Sequence, residues 1–340
     1  MDIFINGTDC ISPLHSYYDL ENQISLDDKS ILYAMEPDYK KVISPGLLRR
    51  MSKVMKMGVT TGLNSLSDAK IEKPQAIICG TGLGCLQDTS KFLTNLCTNN
   101  EEQLNPTPFI QSTHNTIAGT LANLTNCYGY NITYSHRSLS FETALLDAMM
   151  LFNEESIDNI LVGGFDEINS DYITILKRLG FLRNTNTQKN KFGEGSAFFL
   201  LSNNRNEKSY AVIKKVSQKH YPKYSDEILN WISDNLSDSK LKLDDIDLVM
   251  FGRNIRTDDL CDIQLINDYF KNKELIFFKN YCGEFFTAAG FGLYISANIL
   301  REQKLPKIFS EFKSKTSIVK NILIYNHNLY NHSLIVLSKC

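Results

Sequence analysis

The sequence predicts an α/β protein built from two similar halves. Three observations carry that expectation. Short β-rich runs alternate with longer helical patterns along the chain. Several of the runs (AIIC, FFLL, LVMF, LIVL) are continuously apolar, as strands buried on both faces require. The runs also fall into two series separated by the polar stretch Ser202–Ser209, SNNRNEKS, which reads as a linker. The chain of 340 residues is long enough for about two domains or one large two-part core. The expected halves are residues 1–205 and 206–340.

In order, the first series of strands is Ile3–Ile5, Gln75–Cys79, Asn131–His136, Asn159–Gly163 and Ser196–Leu201. The second is Tyr210–Val216, Ile246–Phe251, Glu274–Phe278, Asn321–Tyr325 and Ser333–Leu337. Helical patterns fill the gaps at Pro45–Leu66, Asn115–Asn126, Ser138–Phe152, Thr257–Phe270 and Phe285–Leu300. Pro45 suits a first helical turn, where its missing N–H costs nothing.

Composition narrows the function. Apolar residues make up 43% and charged residues 22%, which is ordinary globular usage and excludes a disordered or fibrous chain. The net charge of −2 leaves no global field for nucleic acid or an anionic membrane. No run reaches 18 apolar residues, so no membrane span is expected. Met1–Gly7 (MDIFING) lacks the basic and apolar regions of a signal peptide. The eight cysteines are scattered, without CxxC or zinc-site spacing. Reduced thiols in a cytoplasmic protein are therefore expected, with no metal and no cofactor.

Two glycine motifs stand out. Gly80–Cys85 reads GTGLGC directly after an apolar run. It falls short of the dinucleotide fingerprint, since Cys85 stands at the last glycine position, and it reads as a tight strand-to-helix turn. Phe192–Ala197 reads FGEGSA, and Glu194 between its glycines is expected to hold loop amides.

The order of ICGTGLGC, PTPFIQSTHNTIAGTLANLTNCYGYNITYSHRS, ILVGGFDE, FGEGSAFFLL, LVMFGRNIRTDD, FFKNYCGEFFTAAGFG and LIYNHNLYNHSLIVL resembles the β-ketoacyl-acyl-carrier-protein synthases of the thiolase superfamily. The resemblance spans nearly the whole chain and implies a five-layer αβαβα fold made of two duplicated halves. It also implies a site with a cysteine nucleophile at a helix N-terminus and two histidines, the chemistry of a thiolate and an oxyanion held by donors. Against that site the chain departs at each position. Counting back from Gly163–Gly164, the nucleophile position is Ser138 in SHRSLS, where Ser138 or Ser140 would cap the following helix or Ser138 would be acylated. Asn254, in GRNIRT, stands at the first histidine; Arg253 and Arg256 beside it read as loop arginines or as a phosphate contact. In KNYCGE, Lys279 and Gly283 match, whereas Glu284 replaces the second histidine and Cys282 reads as inert packing. An ionised glutamate is an acceptor only, so it would repel an oxyanion.

The glycine-rich C-terminal loop is NHNLYNH, Asn326–His332, with Tyr330 where a gating aromatic would stand. His327 and His332 would either compensate for a lost histidine or belong to a surface turn. His136 would share a face with Ser138 on an extended strand, and Glu142 lies one helical turn beyond it, so a rebuilt hydrolytic pair is a further alternative.

Several losses in one site, with the scaffold retained, resemble the chain-length-factor-like subunits that pair with an active synthase and shape its acyl tunnel. That resemblance implies a non-catalytic subunit of a type II fatty acid, polyketide or polyene system, in a heterodimer with an active β-ketoacyl synthase or with itself, and an acyl carrier protein as a further partner. It places Asn131–His136 at the two-fold axis, with Phe109, Ile110, Gln111 and His114 of the preceding segment lining the tunnel or packing the interface. The alternative is an acyltransferase or thioesterase using Ser138 on the same fold. The stretch from Gly180 to Phe192 looks short for the family.

Overall fold

The computed structural model describes residues 2–14, 17, 30–154, 156–182, 191–222, 224–253, 259–309 and 318–340. The first half comprises β1 (Ile3–Ile11), β2 (Ile31–Leu32), α1 (Pro45–Leu48), α2 (Lys53–Ala69), β3 (Ala76–Gly80), α3 (Leu86–Thr98), α4 (Pro106–Gln111), α5 (Thr116–Thr125), β4 (Asn131–Tyr134), α6 (Ser140–Glu154), β5 (Asn159–Asp166), α7 (Ser170–Arg178), β6 (Phe192–Gly193) and β7 (Gly195–Ser202). The second comprises β8 (Ala211–His220), α8 (Ser225–Asp238), β9 (Leu248–Gly252), α9 (Leu260–Gln264), β10 (Glu274–Ile276), α10 (Lys279–Cys282), α11 (Ala289–Glu302), β11 (Asn321–Asn328) and β12 (Asn331–Ser338).

The strands run β10-β9-β11-β12-β8-β1-β7-β5-β3-β4 through a continuous sheet. Read outward from the β8–β1 seam, the five strands that each half contributes to this sheet follow the same order, first, fifth, fourth, second, third, while β2 and β6 form a separate two-stranded sheet. The duplicated thiolase-like fold is written in that repetition. At the seam, Ile3–Ile5 pairs antiparallel with Ala211–Ile213.

Alternate residues of each central strand serve different layers. In β3, Ala76 and Ile78 join the large inner core with Phe141, Leu145 and Leu293, while Ile77 and Cys79 join an outer core with Val54, Val59 and Leu121 of α2 and α5. In β9, Leu248 and Met250 face the inner core, while Val249 and Phe251 pack with Ile228, Ile232 and Leu236 of α8. This is why those runs read as continuously apolar. Helices α6 and α11 contact strands of both halves and form the middle layer.

Where the elements differ from expectation, the reasons are local. The helix expected over Pro45–Leu66 is two helices, broken before Ser52, whose extended backbone (φ −69°, ψ 172°) begins α2 in the N-cap position that serine favours. The strand expected to reach His136 ends at Tyr134. The helix expected over Thr257–Phe270 is a short α9 continued by a π-helical turn at Leu265–Tyr269. Residues 183–190, on which the expected shortening before Phe192 falls, and Asn254 and Arg256 lie outside the described residues. Among the described residues, no helix is long and apolar enough to cross a membrane.

Candidate functional site

Three loops meet where β3, β5 and α11 converge. After β3 the GTG turn leads into α3, as a strand-to-helix turn, with Gly84 at φ +65°. Asp166, at the end of β5, sits under that turn and accepts from the Gly82 amide (2.8 Å) and the Thr81 hydroxyl (3.2 Å). Its other oxygen accepts from the Thr287 amide and hydroxyl, both at 2.9 Å, ahead of α11. Burial pushes the Asp166 carboxyl up to about 6, against the pull of these donors, so it is ionised at neutral pH. Glu194 does what its setting between glycines suggests. It is fully buried, accepts from the amides of Ala34 (3.0 Å) and Ile168 (3.1 Å), and pairs with Lys53.

Beside these loops lies a cavity of about 550 Å³. Leu83, Leu176, Phe181, Phe192, Phe285 and Phe286 give it an apolar wall. Ser138, Glu284 and Asn328 are its buried polar members, and Arg137, His220, Tyr221 and Tyr330 its exposed ones. The volume is ordinary for a small-molecule site. Ser138 and Glu284, the positions that the resemblance singled out, thus line one space, and Tyr330 stands at its exposed side, stacked on Tyr221 with ring centroids 4.5 Å apart.

The buried polar groups of this cavity already have partners. The Ser138 hydroxyl accepts from Asn331 Nδ2 at 2.8 Å, and the Asn331 carbonyl oxygen meets His220 Nδ1. Glu284 pairs with Lys279 at 2.8 Å and accepts from Asn328 Nδ2 at 2.9 Å. Lys279 also donates to the carbonyls of His327 (2.8 Å) and Arg253 (3.1 Å). Burial raises the Glu284 pKa, and Lys279 opposes the shift. Burial holds the Cys282 thiol well above its ordinary value, which fits its reading as packing.

Several expectations need correction. His136 is not on an extended strand: its backbone (φ −107°, ψ 27°) has left β4, so the premise of a shared face with Ser138 fails. It is Ser140, not Ser138, that binds the backbone there, accepting from the His136 amide at 2.7 Å and donating to the Thr81 carbonyl at 2.8 Å. Glu142 turns away toward Ser333 (2.6 Å) and Asn326 (3.4 Å). Asn326–His332 is not a surface turn. It is the tip of the β11–β12 hairpin, with Asn326, His327, Asn328 and His332 buried and Leu329 at φ +55° in the two-residue turn. Nor do the two histidines line the cavity. Their rings stack at 3.9 Å and face a smaller, separate space. Burial and His327 lower the His332 pKa to about 2, so its imidazole is neutral, bonded to the Tyr325 hydroxyl at 2.7 Å.

Asp259, Asp262 and His327 are the group among the described residues whose ligand atoms come within a metal ion's reach of one another. All are engaged otherwise. Asp262 meets His327 Nδ1 at 2.8 Å, and Asp259 caps α9 through the amides of Cys261 and Asp262. Phe109, Ile110, Gln111 and His114 lie on and after α4, outside this cavity, with Phe109 and Ile110 56% and 63% exposed. Arg253 lays its guanidinium over the Phe277 ring at 4.4 Å.

Sequence reasoning missed Arg137, Asn328, Asn331 and the α7 wall. The signal for α7 was available: Ile168, Tyr172, Leu176 and Leu179 recur at helical spacing.

Glu142 yields the first prediction. It is fully buried, its Oε2 has no hydrogen-bond partner among the described residues, and burial raises its pKa. A raised folded-state pKa means that the folded chain holds a proton the unfolded chain has shed. This contribution is full below the ordinary value of 4.5 and is lost as pH rises through the raised one. Urea unfolding at stepped pH should show the wild type losing stability relative to Glu142→Gln as pH rises above about 4.5. A constant difference between the two proteins would refute the assignment.

The β-ketoacyl synthase N-terminal domain model matches residues 29–243. No curated protein matches the chain. Among solved structures, the ishigamide ketosynthase/chain length factor is similar with a TM-score of 0.82 at 14% identity. The AntDE:AntF complex, a type II PKS acyl-carrier protein with its ketosynthase bound to the hexaketide, is similar at 0.79 and 15%. A β-ketoacyl synthase from Burkholderia phymatum STM815 is similar at 0.81 and 13%. Each likeness covers 100% of this chain and 99% of the other. With the duplicated strand order and the family model over more than half its length, the chain belongs to the β-ketoacyl synthase family.

Proposed function

We propose that this chain is a non-catalytic, chain-length-factor-like subunit that pairs with an active β-ketoacyl synthase in a type II fatty acid, polyketide or polyene system. One observation carries the reading: the apolar cavity is retained while the positions that would do chemistry are tied off. Ser138 has an amide donor for a neighbour instead of a base, and Glu284 is neutralised by Lys279. The cavity then contributes to a shared acyl tunnel, with chains delivered by an acyl carrier protein. The named similarity to a ketosynthase/chain length factor supports this reading. In this reading the halves are residues 1–205 and 206–340, a division that falls in the connection from β7 to β8.

The surface for the partner is the β4 edge. Among the described residues β4 pairs only with β3 and ends the sheet, leaving its other side unpaired. Around it the chain exposes Leu124, Tyr128 and Met150, and α4 exposes Phe109 and Ile110. With Gln111 and His114, these last two reach toward the partner's pocket. Co-expressed with a complete synthase, the protein should co-purify with it, and the double substitution Phe109→Asp/Ile110→Asp should weaken the complex about 100-fold, as expected for two apolar anchors. Elongation of an acyl-carrier-protein substrate with malonyl extender by the chain alone would overturn the proposal.

The second reading, acyl transfer or hydrolysis through Ser138, draws on the burial of that hydroxyl in the cavity. Intact mass after incubation with acyl-carrier protein would show an adduct that Ser138→Ala loses.

A further inference from the structure

Among the described residues, the cavity contains a cation that no carboxylate pairs with. Lys279, beneath it, is paired with Glu284. Arg137, which lines the same cavity, makes no ion pair among the described residues. Its backbone is also unusual. At φ +55° it occupies the left-handed region, which a side chain other than Asn or Asp seldom enters. Such an outlier persists only where the surroundings impose it, and it marks functional positions often enough to motivate a hypothesis. Here the reversal lies between His136 and the buried Ser138, and it places Arg137 in the cavity wall.

Ser138 adds a second donor. Its oxygen accepts from Asn331, so its own proton remains to be given, and among the described residues nothing accepts it. An arginine and a hydroxyl donor, at adjacent residues on an apolar cavity, form a receptor for an anion with a hydrophobic tail. A thioester carbonyl is neutral and accepts only an ordinary hydrogen bond from the guanidinium; a carboxylate accepts from both donors and also meets the charge. Glu284, the acid in the cavity lining, does not oppose this, because its charge is met by Lys279.

We propose that the cavity is a binding site for a free fatty carboxylate, with Arg137 pairing with the carboxylate, Ser138 donating to it, and the alkyl chain lying against Leu176, Phe192, Phe285 and Phe286. This rests on the acyl-cavity reading given above, and names the form of the ligand: an acid in place of a carrier-bound thioester.

The test is calorimetric titration of the purified full chain with decanoate, decanol and the S-decanoyl-N-acetylcysteamine thioester. Decanoate should bind about ten-fold tighter than either neutral ligand, the scale of one charge-assisted pair. Arg137→Gln should abolish that preference and leave decanol binding within about two-fold, since the apolar wall is untouched. Arg137→Gly, which frees the backbone of its left-handed constraint, should lose the preference while raising the melting temperature, so that a folding defect cannot imitate the result. Equal affinities for the three ligands, or a preference for decanoate that survives both variants, would overturn this proposal and leave the acyl cavity standing. Failure of all three ligands to bind would remove both readings.

Discussion

Asp166→Ala is expected to destabilise the protein by about 4 kcal/mol. The carboxylate is the common acceptor for two amides and two hydroxyls, contributed by the GTG turn after β3 and by Thr287 ahead of α11. Truncation leaves these donors buried, and each unsatisfied buried group costs about 1–3 kcal/mol. Thr81 and Thr287 can turn their hydroxyls elsewhere; the Gly82 and Thr287 amides cannot. Asp166→Asn keeps the shape but points an amide donor at existing donors, so roughly half of the loss should remain. Since a domain's whole stability is about 5–15 kcal/mol, the alanine variant should unfold at far lower urea with an unchanged m-value. A loss below about 1 kcal/mol would show that the loops hold each other without Asp166.

Gly193→Ala should be nearly as damaging, for a steric reason. A Cβ at Gly193 would lie 1.9 Å from the backbone carbonyl oxygen of Cys282, and neither partner is a flexible side-chain tip. The opposing residue, Gly283, has φ +76° and would itself meet the Gly193 nitrogen at 2.5 Å. The two backbones approach so closely because Gly193 donates to the Glu284 carbonyl (3.0 Å) and the Glu284 amide donates to Lys191 (2.8 Å). Pushing them apart should cost about 3 kcal/mol and displace Glu284 from Lys279. Gly46→Ala, with nothing within 4 Å of the added methyl, is the matched control and should be nearly neutral. If both variants melt alike, the contact is not a constraint on the fold.

These two positions also show what the sequence makes legible. Glycines flanking one acid announced a constrained backbone at Gly193–Gly195, and the apolar runs announced doubly buried strands, because both signals are local. The central cores required only that alternate residues of β3 and β9 be apolar. The site was harder. Ser138 and Glu284 could be located by counting along the chain, but the donor to Ser138, Asn331, arrives only when the β11–β12 hairpin folds back across 193 residues, and the pairing of Glu284 with Lys279 depends on how the short α10 turn is buried. NHNLYNH looked like a surface turn because asparagine and histidine are common there. In the fold its polar atoms are used inward, on Glu142, Glu284 and Asp262. Arg137 gave no warning, since a left-handed backbone at an arginine has no residue-type signature.

The ends of the sheet bear on how large the proposed assembly would grow. Its two ends are unlike: β4 offers an open side flanked by apolar residues, whereas β10 is three residues long. Joining two chains edge to edge through β4 buries the good template of each and leaves only the two short ends outward. Under the proposed pairing, with a second chain of the same fold, such a contact is two-fold and closes on itself, so two chains complete it and no filament follows.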